Sequence, residues 1–281
     1  MNNGFLIINK QAGMTSHDVV NKIRKAFQTK QVGHTGTLDP NATGVLIVAV
    51  GKATKAISFL ENDDKVYEAE LTLGLTTDTE DIWGNVLDEK EVNISSNKIE
   101  EVVKSFIGDI KQVPPMYSAL KVNGKKLYEL AREGVIVERE ARNITIFDIY
   151  NISTNENKVK FTVHCSKGTY IRTVCKDIGE KLGCGACMSA LNRIKVGKFD
   201  IDNSKLIDEI TQEDLINLEE PLQKYEAIHL VNDEAKKYIN GVKFEVNKKD
   251  GLYRIYIDNK FYGIGKIENG ILKSEKCLTE G

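Results

Sequence analysis

One carboxylate, Asp39, stands in the loop Val32-Gly33-His34-Thr35-Gly36-Thr37-Leu38-Asp39-Pro40-Asn41-Ala42-Thr43-Gly44 with no second acid beside it. Three glycines, a proline and several hydroxyl residues make this a tight, shaped turn, and Pro40 fixes the chain just after the acid. His34 lies on the same loop. Two further groups stand out far along the chain: Tyr67, near the start of an alternating stretch, and the pair Tyr170 and Arg172, where the basic glycine turn Ser166-Lys167-Gly168-Thr169 opens a helix. Glycosidase chemistry needs two carboxylates across the bond, a metal site needs a ligand cluster, and a serine hydrolase needs a Ser/His/Asp set; none is evident. A single acid can act as a nucleophile if a partner keeps it ionised, and a guanidinium such as that of Arg172 does this while fixing its orientation. Tyr67 has two readings: a core tyrosine whose hydroxyl finds a partner, or a stacking face for a planar substrate. The set suits covalent chemistry on a nucleobase or its glycosidic bond.

The elements that must position these groups are legible from periodicity. Gly4-Phe5-Leu6-Ile7-Ile8 reads as a first strand. Thr15-Ser16-His17-Asp18 resembles a capping box ahead of Val19, Val20, Ile23, Ala26 and Phe27 at helical spacing, with the helix ending near Gln28. Val45–Gly51 is a short apolar run typical of a buried strand, and Lys52–Ala56 starts a short helix. In Lys65–Gly74, Tyr67, Ala69, Leu71 and Leu73 share the apolar face of a strand. Residues 76–84 form an acidic turn without the spacing of an EF-hand loop. A helix is expected over 96–107 and cannot continue through Pro114 and Pro115, while Lys125–Arg132 reads as a short basic helix closed by Gly134. Residues 144–147 and 159–165 read as strands, with His164 an ordinary exposed histidine. An arginine in the first turn of a helix opposes the macrodipole, so Arg172 needs a compensating partner. Residues 200–225 are acidic, helix-leaning and interrupted by Pro221; Lys236–Gly281 then changes character, with short strand-like pieces at Leu252–Ile257, Phe261–Gly265 and Gly270–Lys273 between Asp/Asn/Gly turns.

Several sharper motifs fail. Gly51-Lys52 is no P-loop, because Leu46 and Ala53 stand where a glycine and a hydroxyl residue are required. Cys184-Gly185-Ala186-Cys187 has no second ligand pair at zinc-site spacing and reads as two buried small residues at a glycine turn. The five cysteines form no disulfide framework, no apolar stretch spans a bilayer, and no signal segment opens the chain, so the cytoplasm is the expected location. The formal net charge is only −2, but it is unevenly placed. Residues 1–60, 111–142 and 158–198 are basic, whereas 61–110 and 199–235 are strongly acidic. Such blocks give a two-faced surface able to meet a polyanion, or simply solvated faces.

Five stretches, in order, carry a family resemblance: Asn9-Lys10-Gln11-Ala12-Gly13-Met14-Thr15-Ser16, Gly33–Pro40, Asp64-Lys65-Val66-Tyr67, Met116-Tyr117-Ser118-Ala119-Leu120-Lys121 and His164–Thr173. Over roughly residues 4–198 the chain resembles the TruB-type tRNA pseudouridine synthases, which isomerise the T-arm uridine at tRNA position 55. The resemblance implies an α+β fold, a mixed and mostly antiparallel sheet with flanking helices, plus a small β-rich PUA-like domain. It implies a catalytic domain over 1–225, with an RNA-gripping insertion at about 93–140, and an RNA-binding domain over 226–281. Asp39 aligns with the nucleophile, Arg172 with its arginine partner, and Tyr67 with the tyrosine that stacks on the uracil and is proposed as a base. Tyr170 and Leu191 align with pocket residues, His34 with the histidine that fills the gap left by the flipped nucleotide, and Lys10 lies in the motif beside the pocket. No metal or organic cofactor is expected; the partner is tRNA, with no membrane, no evident obligate protein partner and a monomeric state. Two departures are Gln11, where the family has proline, and Asn192-Arg193 in place of a frequent Arg-Arg pair. The alternatives are a non-catalytic RNA-binding or tRNA-folding protein, and a synthase acting on another RNA.

Overall fold

The computed structural model describes residues 3–122 and 124–279. The chain opens with β1 (Gly4–Lys10), α1 (Ser16–Ala26), β2 (Val32–His34), β3 (Thr43–Val50) and α2 (Ile57–Leu60). There follow β4 (Lys65–Leu73), the hairpin of β5 (Leu75–Thr77) and β6 (Val86–Glu89), α3 (Ser96–Lys104) and β7 (Gly108–Gln112). Next are β8 (Lys121–Val122), β9 (Lys125–Lys126), α4 (Leu127–Arg132), β10 (Arg142–Asn155), β11 (Lys158–Cys165), α5 (Ile171–Leu182) and β12 (Ala186–Val196). The last part contains β13 (Phe199–Asp200), β14 (Lys205–Leu206), β15 (Ala227–Leu230), α6 (Asn232–Ile239), β16 (Phe244–Glu245), β17 (Gly251–Ile257), β18 (Lys260–Glu268) and β19 (Ile271–Cys277). Among the described residues no helix is long and apolar enough to cross a membrane.

Two compact units result. The first comprises the chain up to Pro40, Val45–Asn62 and Asp202 onward. In it β1 lies between β14, to which it is parallel, and β3, which also pairs antiparallel with β2. Helix α1 begins as the capping box requires: the Asp18 amide donates to the Thr15 hydroxyl oxygen at 3.1 Å and the Thr15 amide to the Asp18 carboxylate at 2.8 Å. Its apolar stripe of Val19, Val20 and Ile23, continued by Phe27, packs with Leu6, Ile8, Leu46, Val48 and Val50 into one core. A second core in this unit lies under the five-stranded sheet β15-β17-β18-β19-β16, where Ile255, Ile267 and Leu272 meet Ala235 and Tyr238 of α6.

The second unit comprises Asn41–Gly44 and Asp63–Ile201. Its strands run β12-β4-β11-β10-β7, every neighbour antiparallel, and the first residues of β3 add a parallel pairing, Thr43 opposite Asn192 and Gly44 opposite Arg193. Gly44 adopts φ +104°. A Cβ there would lie 2.2 Å from the Arg193 carbonyl oxygen, so this crossing admits only glycine. Helix α5 packs on β12 and β4, and α3 packs on α5 and β10.

Residues 200–225 depart from the helical expectation. They form short 3₁₀ turns, Ile201–Asn203, Ile207–Glu209, Gln212–Asp214 and Glu220–Leu222. Acidic side chains fold back onto their own backbone, as when Asp214 accepts the Thr211 amide at 2.8 Å, and Pro221 sits in the first positions of the last turn, where its missing N–H costs no helical bond. His164 also departs from expectation. It pairs with the Asp64 carboxylate and lies against the Phe147 ring, centroids 4.8 Å apart.

Candidate active site

Asp39 belongs to the first unit, and its neighbours on both sides are clamped by the motif that runs from Lys10 to Ser16. Upstream, the Leu38 amide donates to the Ser16 hydroxyl oxygen at 2.9 Å, and that hydroxyl donates to the Leu38 carbonyl at 3.2 Å. Downstream, the Pro40 carbonyl accepts the Gly13 amide at 3.0 Å and the Lys10 ammonium at 3.1 Å. The same ammonium donates to the carbonyls of Met14 at 2.8 Å and Gln11 at 3.0 Å. Lys10 has no solvent-exposed surface, and three carbonyl oxygens supply what burial removes from its charge. The charge serves as an internal tie between the motif and the Asp39 loop. His34 ends β2, half-buried, opposite Val48.

The other candidates lie in the second unit. Tyr67 is on β4 between Val163 and Arg193, so strand pairing holds it on both sides, and it is 8% exposed. Leu191 sits on β12 opposite Ala69, two residues along the same strand from Tyr67. Tyr170 caps α5, and its backbone is gripped by one buried side chain: the Tyr170 amide donates to Gln112 Oε1 at 2.8 Å, and Gln112 Nε2 donates to the Tyr170 carbonyl at 3.1 Å. Arg172 is 5% exposed. Its Nη1 donates to the Thr79 carbonyl at 3.2 Å and its Nη2 to the Tyr117 carbonyl at 2.8 Å. The compensating partners that an arginine at a helix start requires therefore include backbone carbonyls from two distant segments.

Titratable groups around these residues are perturbed by burial. Glu80 accepts the Thr173 hydroxyl at 2.6 Å, and burial raises its pKa against the opposing effects of that hydrogen bond and of Lys176, Arg172 and Arg139. Lys65, at the start of β4, is pushed down to about 8 by burial and then by the positive charge of Arg193. Burial pushes the Cys165 thiol up to about 12, which leaves it inert at neutral pH. Cys184 and Cys187 are buried free thiols, in keeping with the bland reading of that motif.

Ser16, Gln112, Glu80 and Thr173 escaped sequence reasoning, because each is a common polar residue whose role depends on which backbone group it meets. Ser16 and Thr173 carried a signal only as the last residues of the first and fifth motifs. Asn192, one of the two departures, accepts the Thr43 hydroxyl at 3.1 Å and donates to Glu68 at 3.0 Å, which ties β3, β12 and β4 together within the second unit.

Comparison with known proteins bears on both units. The family model described as TruB family pseudouridylate synthase (N terminal domain) matches residues 24–171, and that of the tRNA pseudouridylate synthase B C-terminal domain matches residues 172–228. The tRNA pseudouridine synthase B of Clostridium novyi (strain NT) is 48% identical, covering 98% of this chain and 99% of its own length. That of Alkaliphilus oremlandii (strain OhILAs) is also 48% identical, over 95% and 94%. Among solved structures, a Cbf5-Nop10-Gar1 complex matches with a TM-score of 0.74 and 25% identity, over 99% of this chain and 85% of the other. An H/ACA RNP bound to a substrate RNA containing 2'-deoxyuridine matches with a TM-score of 0.73 at 23% identity, over 99% and 85%, a likeness of fold.

Proposed function

Since this chain belongs to the TruB family of pseudouridylate synthases, we propose that it isomerises the T-arm uridine at position 55 of tRNA to pseudouridine, with Asp39 as its nucleophile. The observation that best supports a catalytic role for Asp39 is the clamp around it. Both flanking residues are tied by hydrogen bonds to the Lys10–Ser16 motif, one through a buried ammonium. A loop whose acid were incidental would need no such restraint, whereas a nucleophile gains rate from being held in one geometry.

In this reading the target uridine is extruded from the T-loop at a cost of a few kcal/mol. Stacking on Tyr67, with His34 filling the gap left behind, offsets about 1–3 kcal/mol for the base. Tyr170 and Leu191 line the pocket. Asp39, with Arg172 as its proposed partner, drives cleavage of the bond between C1′ and N1, by attack on C1′ or through a glycal. The freed uracil rotates, C5 forms the new bond to C1′, the C5 proton leaves with Tyr67 as its proposed acceptor, and N1 ends protonated. Atoms balance without any added reactant, and no cofactor is invoked. Lys10 supports this chemistry by holding the loop.

We assign residues 1–225 to catalysis, with the segment at about 93–140 gripping RNA, and residues 226–281 to a PUA-like RNA-binding domain. The five-stranded C-terminal sheet and its own core support that division. The test is to incubate the protein with an unmodified tRNA transcript and map pseudouridine by position. Conversion at position 55 alone is expected. Tight binding without conversion would favour a non-catalytic RNA-binding protein, and conversion elsewhere a synthase for another RNA.

A further inference from the structure

Glu80 is a non-glycine residue at φ +63°, in the left-handed region that side chains disfavour. Its place in the chain is fixed from outside. The Met188 amide donates to the Glu80 carbonyl at 3.0 Å, and the Ile82 amide donates to the Met188 carbonyl at 2.8 Å, so β12 holds this turn on both sides of Asp81. With that side of the residue held, rotation about the N–Cα bond of Glu80 re-aims the preceding peptide, whose oxygen is the Thr79 carbonyl. This is the oxygen that accepts Arg172 Nη1 at 3.2 Å. The Glu80 side chain returns to the same helix: its carboxylate accepts the hydroxyl of Thr173, the residue next to Arg172, at 2.6 Å. Thr79-Glu80 and Arg172-Thr173 thus close a ring of two hydrogen bonds, both donated by α5, one to a backbone carbonyl and one to a half-buried acid.

We infer that Glu80 is a positioning residue for Arg172, its bond to Thr173 holding the left-handed backbone that aims the Thr79 carbonyl at the guanidinium. The inference rests on the reading of Arg172 as the arginine of the catalytic pocket. A sequence pattern does not reveal such a latch, because the acid is one of three in an acidic turn. In the same turn Asp78 accepts the Asn85 amide at 2.8 Å and Asp81 accepts the Thr79 hydroxyl at 2.7 Å. Glu80 reaches across to α5.

Three variants test this in the full chain: Thr173→Val, Glu80→Gly and Glu80→Gln. Turnover is followed by tritium release from C5-labelled uridine in a tRNA transcript, and Arg172 by its guanidinium N–H signals in ¹⁵N-labelled protein, assigned by their loss in Arg172→Lys. Thr173→Val and Glu80→Gly should lower kcat about ten- to a hundredfold with KM within about threefold, since a misplacement of about an ångström costs that much. Glu80→Gln keeps an acceptor for Thr173 and should stay within about threefold of the parent. Glu80→Gly relieves the disfavoured φ, so its melting temperature should not fall although its turnover does, a split that general destabilisation does not produce. The Arg172 signals should be sharp in the parent and in Glu80→Gln, and averaged in the other two. Parental kcat and unchanged Arg172 signals in Thr173→Val and Glu80→Gly would overturn the inference, as would a melting temperature that falls with activity in Glu80→Gly. If the parent makes no pseudouridine, the proposed function fails, and the Arg172 signals still decide the latch.

Discussion

The ammonium of Lys10 lies 3.1 Å from the carbonyl oxygen of Pro40, thirty residues further along the chain and one residue past Asp39. Two motifs that the sequence presents separately are thereby one structural object, a loop and the charged tie that holds it. The tie is buried, so its removal has consequences for both stability and turnover.

Replacing Lys10 by Met keeps the apolar stem and removes the charge. Pro40 retains the Gly13 amide, whereas the Met14 carbonyl loses the 2.8 Å ammonium bond. We expect a loss of about 2–3 kcal/mol in urea unfolding, the scale of hydrogen bonds to a charged group. Pseudouridine formation should fall with it by about tenfold or more, as the Asp39 loop loses its anchor. Parental stability and turnover in Lys10→Met would show that the tie does not hold the loop.

Gly44 offers a backbone test. An added Cβ would meet the Arg193 carbonyl oxygen at 2.2 Å and the Arg193 nitrogen at 2.7 Å, both backbone atoms, at φ +104°. Gly44→Ala should cost about 3 kcal/mol or more, combining a left-handed residue with a steric overlap that no rotamer relieves. A change below about 1 kcal/mol would contradict the close crossing of β3 and β12.

Lys65 makes stability depend on pH in a stated direction. Its folded pKa is about 8, below the ordinary 10.5, because burial and Arg193 disfavour the charge. Between these values the unfolded chain binds more protons, so stability rises with pH across the window and the benefit is lost as pH falls back through 8. Relative to Lys65→Met, which has no charge to bury, the parent should gain about 1–3 kcal/mol in urea unfolding from pH 8 to pH 10.5. A difference that stays flat over that range would contradict the burial of this ammonium as a charged group.

The basic blocks at 1–60, 111–142 and 158–198 predict that affinity for a T-arm stem-loop falls steeply with salt. Neutralising four or more phosphates gives a log–log slope with magnitude of about 3 or greater. Fluorescence anisotropy with labelled RNA over 50–300 mM salt, on the order used for such slopes, measures it. A flat profile would show those blocks to be solvated faces.

Where a segment is shaped by its own pattern, the sequence already contained the answer. The capping box at Thr15, the alternation of β4 and the buried run of β3 all depend on neighbours in the chain, and the structure has each of them. The hairpin partner β6 did not announce itself, because all four of its residues are exposed and no apolar face is needed to hold it. Helix α6 precedes the strand-like pieces and left no clear sequence signal, since only Ala235 and Tyr238 bury. His164 looked ordinary because its partner Asp64 is one hundred residues away. The candidate site divides in the same way. Asp39, Tyr67 and Arg172 were picked out by residue type, local setting and resemblance. Ser16 and Gln112, which hold the backbone of Leu38 just before Asp39 and of Tyr170 just before Arg172, act through tertiary contacts that no local pattern encodes. Lys10 was placed beside the pocket by its motif, and only the fold turns its charge inward onto three carbonyls.

The central claim is that Asp39 is the nucleophile, and the Asp39→Asn variant tests it most directly. The substitution keeps the size of the side chain and, with Leu38 and Pro40 still clamped, the shape of the loop. Purified protein, checked for deamidation, would be incubated with unmodified tRNA transcript and pseudouridine mapped at position 55, with binding measured in parallel. The account predicts no detectable pseudouridine and tRNA binding within about threefold of the parent, since the variant loses a covalent step and little of the binding surface. Continued turnover by the intact amide would contradict it.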